Sequence, residues 1–261
     1  MMSIVGMLLV MIFDSYDKNS IDYILAKYFI DHIYEIESMS LKELSLDCHV
    51  SISAINRFLR LLGFNSFKQV KSYIKIGFDL KLKQIHDRYT YFQVDREMDK
   101  IEYLSGINID RKQLLQQIDL LVQMLYENHN IIILGALYPA AIFLNFLDDM
   151  IYFHKTCQFM WRNTIDYSSS IESKEGDILL IVSITGRLLL MKNGLYSQIQ
   201  NTKGKIVLIS GNEFLWNKAD VFIKIPIYKG EEREEYNTIL IELLSIVKFR
   251  YYEKYILTEK E

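Results

Sequence analysis

The spacing of hydrophobic residues changes character once along the chain. Up to about Gly77, apolar positions recur at helical intervals, with no proline and only short polar breaks, which predicts an all-α bundle. A polar, charged stretch from about Asp79 to Asp110 follows, carrying Lys81, Lys83, Asp87, Arg88, Asp95, Arg96 and Glu97, and it predicts a connecting helix or linker. Beyond it lie short, continuous apolar runs at Asn130–Leu134, Asp177–Val182 and Lys205–Ser210, each leading into a turn-forming residue and then toward a helical stretch. Such runs predict buried parallel strands; Cys157–Trp161 and Val221–Ile225 are weaker candidates. Glu235–Ile256 predicts a closing helix with Ile239, Leu240, Leu243, Leu244 and Val247 on its apolar side. Strands alternating with helices imply a doubly wound parallel sheet covered on both faces. The expected organisation is multi-domain: an all-α unit over 1–77, a connector over 78–109, and an α/β unit over 110–261.

Composition narrows the class. A length of 261 residues exceeds the usual single-domain size, and a chain that is half hydrophobic and 13% aromatic is not a disordered one. Two cysteines, Cys48 and Cys157, are too few for a disulfide framework or a structural zinc site, so no metal or cofactor is expected and a cytoplasmic location fits best. The apolar opening Met1–Phe13 lacks a basic leader and a cleavage site and is too short to span a bilayer. It is expected to be an amphipathic or partner-packing helix, with no membrane partner. The net charge of −3 conceals a division: residues 1–39 carry two lysines against six acids, net −4, whereas residues 40–77 carry six cations against two acids, net +4. Nucleic-acid binding depends on such a local basic face rather than on the total.

That basic segment also carries a pattern. Ser40 followed by Glu43 is a capping box opening a helix with Leu41, Leu44 and Leu46 on its apolar face, which breaks at Asp47-Cys48-His49. Val50 supplies an anchor and Ser51 a second N-cap. Ile55, Phe58, Leu59 and Leu62 form an inward stripe, and Gly63 stops the second helix. Two short helices across a tight turn make a helix-turn-helix, whose second helix enters the major groove. Its outward residues are Ser51, Ile52, Ser53, Asn56, Arg57 and Arg60. Arginine can pair with guanine and asparagine with adenine, while hydroxyls and helix-start amides hold phosphate. Lys68, Lys71 and Lys75 would add phosphate attraction. On spacing alone, a helical hairpin used for protein contacts is the competing reading.

The run VSISAINRFLRLLGFNSFKQVK resembles the helix-turn-helix of the RpiR/MurR family of transcriptional regulators through Val50-Ser51, Ile55, Arg57-Phe58, Leu62-Gly63-Phe64 and Phe67 to Lys71. It departs at His49, where such turns usually carry glycine; histidine tolerates a left-handed conformation better than a β-branched residue. The resemblance implies operator DNA as a partner, a homodimer or higher homo-oligomer, and a C-terminal sugar isomerase (SIS) domain over about 110–245 that senses a sugar phosphate or similar anionic metabolite. Two strand-to-helix loops would form its pocket, at Gly135-Ala136-Leu137-Tyr138-Pro139 and at Ser183-Ile184-Thr185-Gly186-Arg187-Leu188. The implied ligand residues are Gly135, Tyr138, Ser183, Thr185, Gly186 and Arg187. Leu137, Pro139 and Leu188 depart from the family pattern, replacing a glycine and two hydroxyl donors. A regulator whose pocket no longer senses is therefore one alternative, and a sugar-phosphate isomerase another. Isomerisation requires a positioned base. The histidines, His32, His49, His86, His129 and His154, do not cluster with either loop, although His154 and Glu172 are candidates to approach it, and no nucleotide-binding or metalloprotease motif occurs. No enzymatic activity is expected.

Overall fold

A computed structural model describes residues 3–15, 17–159, 173–188, 199, 201–212, 218–228 and 233–258. The chain divides into two compact units, Met1–Thr90 and Tyr91–Glu261. No helix among the described residues is long and apolar enough to cross a membrane.

The first unit contains α1 (Ile4–Asp14), α2 (Ile21–Asp31), α3 (Leu41–Asp47), α4 (Ile52–Leu61) and α5 (Phe67–Thr90). A serine opens every one of them. Ser3, Ser20, Ser40 and Ser51 accept from the amides of Gly6, Tyr23, Glu43 and Ala54, and Ser66 accepts from the Gln69 amide ahead of α5. Each cap satisfies an orphan N–H, so the helix starts are written into the chain locally. The core is formed by Val5, Leu8, Leu9, Leu25, Phe29, Leu44, Ile55, Phe58 and Val70, all fully buried. The apolar opening helix thus seals this core with Ile4, Val5, Leu8, Leu9 and Ile12. Leu46 departs from the expected inward stripe and is 61% exposed. It follows buried Leu44 by two residues, about 200° around the helix axis, so it points away.

The second unit is α/β. Its elements are α6 (Val94–Ser105), α7 (Arg111–Glu127), β1 (Asn130–Gly135), α8 (Leu137–Ile151), β2 (Thr156–Phe159), β3 (Asp177–Val182), β4 (Lys205–Ser210), β5 (Val221–Lys224) and α9 (Glu235–Tyr251). A π-helical turn, Tyr252–Leu257, extends α9. The five strands form one parallel sheet in the order β2-β1-β3-β4-β5. All five apolar runs noted in the sequence hold strands, with Met160 and Trp161 outside the described residues. β3 is buried along its whole length, as its central place requires. The order reverses between β1 and β3, and that reversal opens a crevice at their carboxyl ends. There Gly135 lets the backbones close: a Cβ on it would lie 2.5 Å from Val182 Cγ1.

The charged stretch 78–109 is not one connector. Its first part continues α5 to Thr90, and its later part is α6, which packs on α9 through the fully buried Met98 and Ile101. Phe92 lies 4.8 Å from Phe249 on α9. A polar sum hides these apolar positions, because α6 buries only one stripe.

Across the α6–α9 contact, Lys100 bonds Glu97 and reaches Glu242 at 3.4 Å. Burial, then the hydrogen bond and charge of Glu97, push Glu242 up to about 7. Burial alone would raise Glu97 too, but hydrogen bonds from Glu242 and Lys100 prevail and hold it below the usual carboxylate range. Because folded Glu242 keeps its proton to higher pH than an unfolded glutamate, its contribution to stability is full below about pH 4.5 and falls as pH rises through about 7. Glu97 acts in the opposite sense, in a window below the ordinary carboxylate value. In urea unfolding at pH 5 and pH 8, Glu242 is expected to contribute a loss on the order of 1–3 kcal/mol at the higher pH, and Glu242→Gln should abolish that part of the loss.

Candidate nucleic-acid interface and ligand cavity

The geometry of α3, the turn and α4 follows from local bonds. The expected capping box is complete: Ser40 accepts from the Glu43 amide and Glu43 returns to the Ser40 amide at 2.6 Å. After Asp47 the chain turns through Cys48 and His49, and His49 adopts φ 53°. The Ser45 hydroxyl donates to the Val50 carbonyl at 2.6 Å, and the Val50 amide donates to the Ser45 carbonyl at 3.1 Å. Ser45 thus clamps both sides of the turn, a role that nothing in its spacing announced. The Tyr28 hydroxyl donates to Asp47 at 2.6 Å and ties α2 to the end of α3. Burial, then Asp47, pushes the Cys48 thiol up to about 11, so it is an inert core group.

At its far end, α4 closes with a Schellman motif. Gly63, at φ 86°, donates to the Arg60 carbonyl, and Phe64 donates to the Leu59 carbonyl. Ile55, Phe58 and Leu59 face inward; Phe58 lies 5.9 Å from Phe29 between ring centroids. Since the helix advances about 100° per residue, this anchoring fixes what faces out. Ser51, Ile52, Ser53, Arg57 and Arg60 are exposed, and Asn56 is half-buried. Ile52 is 45% exposed, apolar surface beside hydroxyls and two guanidinium groups. Lys68 is exposed on α5, and Lys71 is half-buried with its Nζ 5.2 Å over the Phe67 ring. Two acids of the negative N-terminal segment face this basic side: Asp22 lies 3.5 Å from Arg57 without hydrogen-bond geometry, and Glu37 accepts from Lys75 at 2.6 Å.

In the second unit, a cavity of about 540 Å³ sits at the β1/β3 crevice. It is lined by the start of α8 (Ala136, Tyr138, Pro139), the loop after β3 (Ser183, Thr185, Arg187, Leu188) and the start of α9 (Arg233, Glu234, Tyr236, Asn237). Tyr138, Ser183, Thr185 and Arg187 are therefore brought together. Gly135 and Gly186 are buried beneath them and do not line the space. Gly186 has φ 78°, and a Cβ there would lie 2.5 Å from Asn212 Cβ. Its amide donates to the Ser183 carbonyl at 2.9 Å, and that carbonyl also accepts from Ser210 Oγ at 2.6 Å. The Gly186 amide is thus engaged within the loop itself. Pro139 and Leu188 line the cavity without a donor.

The α9 residues were missed because they lie some fifty positions beyond the Gly186 loop and belong to no motif; only the return of the last helix to the sheet places them there. His154, one of the two side chains considered as an approach to the pocket, does not reach it. It is exposed between α8 and the amino end of β2, away from the strands' carboxyl ends. Glu172, the other, lies outside the described residues. Among the described residues, no group of three or more His, Cys, Asp and Glu side chains is arranged to hold a metal ion.

Comparison with curated proteins gives no match. Solved structures with a similar course include the NanR protein of Vibrio vulnificus complexed with ManNAc-6P, at 14% identity, 97% of this chain, 94% of that one and a TM-score of 0.48. Another is the hypothetical protein MJ1247 of Methanococcus jannaschii, at 16% identity, 64% of this chain, 91% of that one and a TM-score of 0.46. A third is the sugar isomerase domain of an RpiR transcription factor from Sphaerobacter thermophilus, at 10% identity, 64% and 93% coverage and a TM-score of 0.42. Residues 13–79 match the family model described as a helix-turn-helix domain, rpiR family, and run from the end of α1 to the first half of α5, including the clamped turn and the outward face of α4. Over that quarter of the chain, the sequence is similar to the helix-turn-helix domain of the rpiR family.

Proposed function

We propose that this chain is a cytoplasmic transcriptional regulator that reads operator DNA with α4, and that its α/β unit is a SIS-like domain sensing a phosphorylated sugar or related anionic metabolite. The observation that carries the reading is the outward face of α4, where Ser53, Arg57 and Arg60 are exposed on a helix rotated by Phe58 and Ile55. Arg57 and Asn56 read base edges; Ser51, Arg60, Lys68 and Lys71 hold phosphates. A homodimer supplies two such helices to paired half-sites, because one module buries too little surface for tight specific binding.

The sensing half rests on the cavity at the sheet's switch point, where Ser183 and Thr185 offer hydroxyls, and Arg187 and Arg233 offer bidentate cations to a phosphate. A second reading, a regulator whose pocket has lost its ligand, is favoured by Pro139, Leu188 and the engaged Gly186 amide. Thermal shift against a panel of hexose and N-acetylhexosamine 6-phosphates separates them: a rise in midpoint supports sensing, and none across the panel supports the second reading. The isomerase alternative predicts turnover of the same panel, read by NMR.

Arg57→Ala is expected to weaken binding to an operator fragment obtained by in vitro selection by about 1–3 kcal/mol and to relax base preference at one position, whereas Lys68→Ala should weaken all sequences alike and lower the salt slope by about 1. An Arg57→Ala titration that superimposes on the wild type would overturn the assignment of α4. Asp22→Asn removes the anion facing Arg57 and is expected to tighten operator binding by a few-fold, roughly the 0.2–1 kcal/mol of an exposed pair, in titrations at low salt.

A further inference from the structure

The cavity and α6 are joined through one side chain. Tyr228 follows β5 by four residues and does not line the cavity. Its hydroxyl donates to the Gly106 carbonyl at 3.0 Å, and its amide donates to the Tyr236 hydroxyl at 3.1 Å. The Arg233 guanidinium lies 4.9 Å over its ring. Tyr236 and Arg233 both line the cavity. Gly106 is the left-handed C-cap of α6, at φ 68°, and its own amide donates to the Glu102 carbonyl. The exit from α6 is bound tightly as well: Glu102 accepts from the Ile109 amide and from Arg111, which also pairs with Asp99. Cavity wall, Tyr228 and the end of α6 therefore form one hydrogen-bonded chain, and α6 is the first helix after the DNA-reading unit, separated from α5 only by residues 91–93.

We propose that Tyr228 is the positioning residue through which occupancy of the cavity alters α6, and so operator affinity; this rests on the sensor reading above. The Arg233 guanidinium lies over the Tyr228 ring. A phosphate in the cavity competes for the same guanidinium with a charge-assisted pair, so ligand binding exchanges the contact that holds Tyr228 for one that does not. The two states then differ at Tyr228, and the difference reaches α6 through the Gly106 carbonyl. A ligand shifts an equilibrium only by such differential contacts.

The test uses Tyr228→Phe in the full chain. Phenylalanine keeps the ring under Arg233 and the backbone bond to Tyr236 and deletes only the bond to Gly106, so the fold and the basal operator affinity are retained. Operator affinity is measured by fluorescence anisotropy without ligand and with each hexose 6-phosphate found by thermal shift, and sugar-phosphate affinity is measured by calorimetry. Wild type is expected to show a change in operator affinity of about 5-fold or more on saturation, and the variant less than about 2-fold with sugar-phosphate affinity retained. By reciprocity, the effect of DNA on sugar-phosphate affinity should shrink equally. A merely structural role would lower the thermal midpoint and leave the coupling ratio alone. A wild-type response that persists unchanged in Tyr228→Phe overturns this inference and leaves the sensor reading standing; a wild type whose operator affinity ignores every member of the panel overturns both.

Discussion

The rotation of α4 about its own axis is the constraint on which the exposed face of the first unit depends. Ile55, Phe58 and Leu59 lie within one turn and cannot leave the core without exposing a large apolar surface, with Phe58 set against Phe29. Once they are inside, Ser53, Arg57 and Arg60 have no orientation left but outward. The clamp at Ser45 and Val50 fixes where α4 starts, and the Schellman motif at Gly63 fixes where it stops. Side chains that touch no ligand thereby determine the register of those that would. The buried positions and the bonded turn are one device: the first sets the azimuth of the helix, the second its length.

Electrostatics then shapes the exposed face. The acids of the first segment are not distributed at random with respect to the cations of the second. Asp22 and Glu37 each meet a basic side chain, Arg57 and Lys75. Both pairs are exposed and worth little as stability. Their effect falls on the basic face, since every anion beside a cation reduces the counterion release available to a duplex. Asp22 and Glu37 temper the attraction that α4 and α5 would otherwise exert on any phosphate backbone.

Most of this architecture was legible where the determinant is local. The Ser40–Glu43 box, the Ser51 cap, a glycine after Leu62 and unbroken apolar runs each declare an element from within a few residues, and each element formed. Two differences share a cause. Leu46 counts toward the apolar face of α3 by residue type, although its position around the helix relative to Leu44 carries it out. The charges of 78–109 point to a connecting helix or linker, although within it Met98 and Ile101 are fully buried where α6 packs on α9. Composition averages over faces, and folding selects one face. The cavity shows a third limit: its loops after β1 and β3 are visible as motifs, but Arg233, Glu234 and Asn237 arrive from the far end of the chain, and no local pattern encodes that meeting.

The place of the cavity and the groups that line it have separate origins. The crevice is dictated by strand order, so any sequence with this topology has one. What occupies it depends on which donors remain. Pro139 carries no amide hydrogen in the first turn of α8, and the Gly186 amide is turned inward onto Ser183. Backbone capture of an anion, which a glycine-rich loop performs without side chains, is therefore reduced on both walls. The polar side chains that line the cavity are Ser183, Thr185 and Arg187 from the loop after β3 and Arg233 from the start of α9. Such a site is more easily coupled to its surroundings than a backbone cradle. A peptide amide that binds a ligand has nothing else to release, whereas a guanidinium that leaves a tyrosine ring to meet a phosphate alters both places at once. On the proposed sensor reading, a pocket with fewer free amides and more cationic side chains is suited to report its occupancy.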